Sequence, residues 1–217
     1  ICALAPTLLE AKRPMLFTRA QLRQQMKDDI QKLREHWYIL PNIQVHGYSE
    51  LSLAKNADML QEYSPDVIIC DEAHRVLRRT SARTRRLWRY FMKTNPQCKM
   101  VAVSGTMTTK SIEDYWKLLY LSLDEDAPIP LDYSIRAAVA VCVDPSPRNW
   151  PTRRDWRIAK NLYLGFDPAP NEGTAKEQIR RGFRHRLINS EGVVSSDKAD
   201  VAASLTLVEH KVDPPKE

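Results

Sequence analysis

Four consecutive apolar residues, Val67-Ile-Ile-Cys70, stand between two aspartates, Asp66 and Asp71. A strand with one face in water alternates apolar and polar side chains. An unbroken, largely β-branched run instead suits a strand buried on both faces, as in the middle of a parallel sheet. Parallel neighbours need crossover connections, which cover the sheet with helices. The run therefore points to an α/β fold with a carboxylate at each end of its most central strand.

The flanking sequence fits this frame. Pro14-Met-Leu-Phe-Thr18, the segment 43–48 and Lys99-Met-Val-Ala-Val103 are further strand candidates. Between them, apolar residues recur at helical spacing: Leu22, Met26, Ile30 and Leu33 within 20–37, and Ile112, Tyr115, Trp116, Leu119 and Leu123 within 111–123. Further helices are expected over 51–63, ended by Ser64-Pro65, and over the basic stretch 75–91. From Asp124 the texture changes, because Pro128, Pro130, Pro145, Pro147, Pro151, Pro168 and Pro170 interrupt any long element. We place a domain boundary near Asp126. Residues 1–125 are then the α/β unit, and 126–217 a Pro-rich linker with a small, irregular α+β extension: one helix over 177–189 and short strands at 192–194 and 202–208.

With 217 residues, 43% of them hydrophobic, the chain can bury one sizeable core and a small second unit. Thirty-three basic against 27 acidic residues give a formal charge of +6, which favours a polyanionic partner. Cys2, Cys70, Cys98 and Cys142 form no C-x-x-C pair, so they read as buried thiols in a reducing compartment. No run approaches the ~18–20 apolar residues of a membrane span, and the start lacks a signal-peptide layout. A soluble, intracellular protein with no membrane partner is expected. The chain begins at Ile1, inside an apolar run, as a fragment of a longer protein would.

Ligands of open α/β sheets bind outside the carboxyl ends of the strands, where Asp71 and Glu72 stand. In a nucleoside triphosphatase, a first carboxylate at that place holds Mg²⁺, usually through water, and a second orients and deprotonates the attacking water. The bland alternative is a helix start whose dipole favours acids. His46 and His185 have no partner at a useful spacing and read as structural.

The apolar strand followed by Asp71-Glu-Ala-His74 resembles motif II of superfamily-two helicases and translocases. Ser104-Gly-Thr106, after the next apolar strand, resembles motif III. Leu16-Phe-Thr-Arg-Ala20 resembles motif Ia, Gly47-Tyr-Ser-Glu-Leu51 resembles segment Ib, and Asp114-Tyr-Trp-Lys-Leu-Leu119 resembles the Trp-containing helix after motif III in the SNF-type branch. The resemblance covers about residues 1–125. It implies a partial first RecA-like lobe, a parallel sheet flanked by helices with its N-terminal edge incomplete, that uses ATP and Mg²⁺. Asp71 would hold the Mg²⁺ through water, Glu72 would be the catalytic base, and His74 would lie between the γ-phosphate and motif III. Ser104 and Thr106 would couple nucleotide state to the nucleic-acid groove, while Thr18, Arg19, Tyr48 and Ser49 would meet a phosphate backbone. Implied partners are DNA, duplex rather than single strand, and a second RecA-like lobe of the same parent chain. The location would be the cytoplasm, a host's cytoplasm if the protein is phage-encoded, since the order of features is similar to phage SNF-like helicases.

The sequence also departs from the family. No G-x-x-x-x-G-K-[ST] phosphate loop is present, and Glu172-Gly-Thr-Ala-Lys176 has the wrong order. The loop is expected just upstream of residue 1, motifs IV to VI beyond Glu217, and little ATP hydrolysis from this segment alone. Two other readings stay open: a non-catalytic DNA-binding or assembly module built on a degenerate motor lobe, and an RNA helicase of the Asp-Glu-Ala-His type. Arg75, Arg78, Arg79, Arg83, Arg85, Arg86 and Arg89, like the cluster 180–186, either track phosphates or form solvated helix faces. Trp88, Trp116, Trp150 and Trp156 read as packing residues.

Overall fold

The computed structural model describes residues 1–76, 81–105, 111–112, 116–144, 147 and 149–194. Its centre is a four-stranded, all-parallel sheet in the order β2-β1-β3-β4, formed by β1 (Pro14–Thr18), β2 (Gln44–Gly47), β3 (Val67–Asp71) and β4 (Lys99–Val103). The register pairs Leu16 with both Val45 and Ile69, and Ile69 with Val101. β3 lies between two strands, and Val67, Ile68, Ile69 and Cys70 are all buried, as the apolar run required. Alternation sends the two faces into two cores. Met15, Phe17, Ile68, Cys70 and Met100 enter one; Leu16, Val45, Val67 and Ile69 enter the other.

The aspartate before β3 stitches the sheet at its entry edge. Asp66 accepts hydrogen bonds from the amides of Lys12 (2.6 Å) and Arg13 (2.9 Å), just before β1, and its carbonyl accepts from Lys99 at the start of β4. The helices follow the expected order but are shorter than the periodicity suggested. They are α1 (Ala5–Leu8), α2 (Arg23–Leu33), α3 (Met59–Tyr63), α4 (Ala82–Arg89) and α5 (Trp116–Leu123). The expected helix over 51–63 is broken into two 3₁₀ turns, 50–52 and 54–56, before α3. Their carbonyls receive a side chain instead of a helical ladder: the Arg86 guanidinium donates to Leu53 O (2.8 Å) and Asn56 O (3.2 Å). The basic helix starts only at Ala82, where Ser81 accepts a bond from the Thr84 amide, and it ends in a π-helical turn, Tyr90–Thr94.

The extension is helical among its described residues, not α+β. It comprises α6 (Tyr133–Val143), α7 (Arg153–Tyr163) and α8 (Ala175–Ile188). The prolines precede these helices and do not break them, and each helix then starts at a side-chain cap. Asp132 accepts from the Ile135 amide, and Thr152 and Thr174 form reciprocal capping boxes with Asp155 and Glu177. Ala127 and Asp167, each followed by proline, have extended ψ angles of 126° and 119°, because a proline ring crowds the helical conformation of the residue before it. Residues 192–194 form no strand, and 202–208 lie outside the described residues. The extension has its own core of Val139, Ala159, Tyr163, Ile179 and Phe183, joined by Leu119 from α5, while the neighbouring Leu118 belongs to the sheet core.

The arginines of α8 hold this unit together. Arg180 donates to Val143 O and Lys176 to Asp144 O (2.9 Å), covering carbonyls at the end of α6 with cations, and Arg181 grips Asp167 through two bonds of 2.9 and 3.0 Å. Hydrogen bonding to Arg181 holds the Asp167 carboxyl below its usual range despite the opposing cost of burial. These side chains bind the protein's own backbone, which argues against a phosphate-tracking role for Arg180 and Arg181. Among the described residues, no helix is long and apolar enough to cross a membrane.

Candidate functional site

The expected chemistry gathers at the carboxyl end of β3. Asp71 is the last residue of the strand and is partly exposed. Glu72 then adopts φ +54°, a left-handed conformation that a residue with a Cβ takes at a cost. This turns the chain from the strand directly into the 3₁₀ turn Ala73–Val76, with Ala73 fully buried beneath it. The turn brings His74 back toward Glu72, placing His74 Nδ1 3.1 Å from Glu72 Oε2 and 3.3 Å from Ser104 Oγ, just beyond β4. His74 Nδ1 thus stands within hydrogen-bonding distance of both a carboxylate and a hydroxyl at the ends of two adjacent strands. Thr106 and Asp114, the other residues assigned to this region, lie outside the described residues.

Asp71 is held from two sides. The Thr18 hydroxyl donates to Asp71 Oδ2 (2.7 Å), and the Tyr48 hydroxyl donates to the Asp71 main-chain carbonyl (2.7 Å). Thr18 is 0% and Tyr48 3% exposed, so both hydroxyls, expected from sequence at a phosphate backbone, are engaged inside the protein. Burial, reinforced by Cys70 and Asp71, raises the Tyr48 pKa and keeps its phenol a neutral donor. Arg19 is partly exposed, with a buried Nε that has no partner among the described residues, and Ser49 is exposed, so those two side chains remain nearer the surface. Burial also raises the thiol of Cys70 to about 12 and that of Cys2 to about 11, with the Asp71 charge a further cause for each. Neither is a thiolate nucleophile near neutral pH.

Glu50, within segment Ib, organises the loop after β2. It bonds Arg23 (3.0 Å), His46 Nδ1 (2.9 Å) and the Gly47 amide (2.8 Å). Burial raises its pKa, but these three bonds together outweigh that and leave it lowered. His46 is held in a structural role, but by a partner four residues on, Glu50, that the sequence reading does not identify. Glu172-Gly-Thr-Ala-Lys176 is a helix start and not a phosphate loop: Gly173 has φ +77°, and a Cβ there would lie 2.7 Å from Glu177 Oε2 of the capping box.

Among the described residues, no group of three His, Cys, Asp or Glu side chains gathers as a metal cage. A nucleotide-bound Mg²⁺ needs none, since it takes one or two carboxylates and completes its shell with water and phosphate oxygens. The residues present fit that requirement. One oxygen of Asp71 is engaged by Thr18, and the other is left without a hydrogen-bond partner among the described residues.

Fold and site together define an α/β protein with its polar chemistry at the carboxyl ends of adjacent parallel strands. No protein-family model matches the chain, and no curated protein matches it.

Proposed function

We propose that this chain is the motif II to motif III part of an ATP-dependent DNA translocase or helicase of the SNF-like branch, using Mg-ATP. The observation that carries the reading is the join between strand ends: Glu72 and Ser104 meet on one nitrogen of His74, with Asp71 at the end of the same central strand. Bound there, Mg-ATP would supply the phosphoryl group to be transferred and the cation that neutralises its charge. Asp71 would hold the cation, directly or through water. Glu72 accepts the proton of the attacking water. His74 orients Glu72 and ties its position to Ser104, so a change at the carboxylate moves the strand end that would face a nucleic acid.

The test is ATP turnover by the intact protein with duplex DNA, single-stranded DNA or RNA. Glu72→Gln is expected to lower DNA-stimulated turnover by at least ~100-fold, the scale of a lost general base, while ATP still binds. Unchanged turnover rejects the assignment, and stimulation by RNA alone moves the protein to the RNA-helicase reading. A second reading, a DNA-binding module without turnover, is favoured by the absence of a G-x-x-x-x-G-K-[ST] loop from these 217 residues. It predicts DNA binding indifferent to nucleotide, carried by the exposed Arg75, Arg85 and Arg89.

A further inference from the structure

We infer that Thr18 is a positioning residue for the cation-binding carboxylate: it occupies Oδ2 of Asp71, so that Oδ1 alone is presented to the ion and the site favours Mg²⁺ or Mn²⁺ over Ca²⁺. The inference rests on the assignment of Asp71 made above and adds how that carboxylate coordinates.

The geometry begins in the sheet register. Phe17 pairs with Cys70, so Thr18 and Asp71 are the next residues along neighbouring parallel strands and their side chains leave the same face. Thr18 has no exposed surface, so its hydroxyl cannot turn to water, and its bond to Asp71 Oδ2 is 2.7 Å long. A β-branched residue in a strand has few χ1 choices, which makes this donor stiff. The Tyr48 bond to the Asp71 carbonyl, also 2.7 Å, fixes the main chain beneath the same carboxylate. Side chain and backbone of Asp71 are thus both immobilised by groups that are themselves buried.

Such a carboxylate offers one oxygen. Ca²⁺ has a large, adaptable shell and readily takes both oxygens of a carboxylate, whereas Mg²⁺ requires near-octahedral geometry and accepts single oxygens alongside water. A hydroxyl that withholds Oδ2 disfavours the bidentate arrangement. Removing it frees the carboxylate to rotate and to chelate.

The experiment measures Mn²⁺ binding to the intact protein by electron paramagnetic resonance in the presence of a non-hydrolysable ATP analogue, with Ca²⁺ as competitor. Thr18→Val, which keeps shape and β-branching, is expected to weaken Mn²⁺ binding about tenfold, the scale of lost support to a metal ligand, and to narrow the preference over Ca²⁺. Thr18→Ala should do the same, and Thr18→Ser should retain both properties. A purely structural role for Thr18 would lower the melting temperature without moving the Mn²⁺ to Ca²⁺ ratio, and that result overturns the inference. Asp71→Ala separates the two levels of argument. If it abolishes Mn²⁺ binding while Thr18→Val changes neither affinity nor ratio, only the positioning role fails. If Asp71→Ala leaves Mn²⁺ binding intact, the assignment of Asp71 fails, and the role of Thr18 with it.

Discussion

Glu72 combines a demand of chemistry with a cost to the fold, and the two can be separated by mutation. Its φ of +54° is comfortable only for glycine, and for other residues the left-handed conformation costs about 1–2 kcal/mol. Replacing Glu72 by alanine removes the carboxylate and keeps the Cβ, so the strain stays. Replacing it by glycine removes both, at a cost of about 0.5–1 kcal/mol from the freer unfolded chain. The pairing with His74 is lost in both variants; its partners are 34% and 30% exposed, so it is worth less than about 1 kcal/mol and cancels in the comparison. Glu72→Gly should therefore be about 1 kcal/mol more stable than Glu72→Ala, or ~2–4 °C in melting temperature for a chain of this length. Both variants should lack turnover. The assay is a pair of thermal melts followed by circular dichroism, repeated in urea. If Glu72→Ala melts at or above Glu72→Gly, the backbone at this position is not strained and the sharp turn that joins Asp71 to His74 is misdescribed.

Gly182, in the middle of α8, sets helix propensity against packing. A Cβ there would lie 2.9 Å from the Tyr163 carbonyl carbon and closer still to its oxygen, both rigid backbone atoms. Propensity alone would make Gly182→Ala about 1 kcal/mol more stable, but overpacking costs about 1–3 kcal/mol or more, so a lower melting temperature is expected. Gly165→Ala, where nothing lies within 4 Å, is the control and should have little effect; equal melting of the two variants would sink the close approach of α8 to the end of α7. A third prediction concerns pH. The Asp167 pKa is lowered in the folded state, so the stabilisation by Arg181 is complete above the ordinary aspartate value near ~3.9 and is lost as pH falls through the lower folded value. Acid titration of the extension should steepen below about pH 4, and Asp167→Asn should flatten it; an unaltered profile would mean that the pair is not what acid breaks.

What could be read in the sequence divides along physical lines. The strands were legible because burial on both faces leaves a local signature, four apolar residues in a row in β3, and the position of Asp71 followed from the end of that run. The grip on Asp71 was not legible. Thr18 and Tyr48 lie 53 and 23 residues away along the chain, and only the strand order brings them beside it. A threonine and a tyrosine at strand ends look alike whether they face solvent or a carboxylate. The helical extension is obscured for another reason: proline density suggests disruption, although Thr152 with Asp155 and Thr174 with Glu177 carry the Thr-x-x-acid spacing of capped helix starts. The arginines of α8 show the same limit, since a basic run cannot reveal that its partners are carbonyls at the end of another helix.

The prolines that precede α6, α7 and α8 have a consequence that no contact in the folded protein displays. Pro130, Pro151, Pro168 and Pro170 stand outside the helical ladders, where a fixed φ is compatible with the native path. Each narrows the range of shapes open to the unfolded chain, and a proline at a compatible site contributes about 0.4–1 kcal/mol by that route. The extension is small and would otherwise depend on a modest core, so part of its stability resides in the disorder its unfolded state is denied.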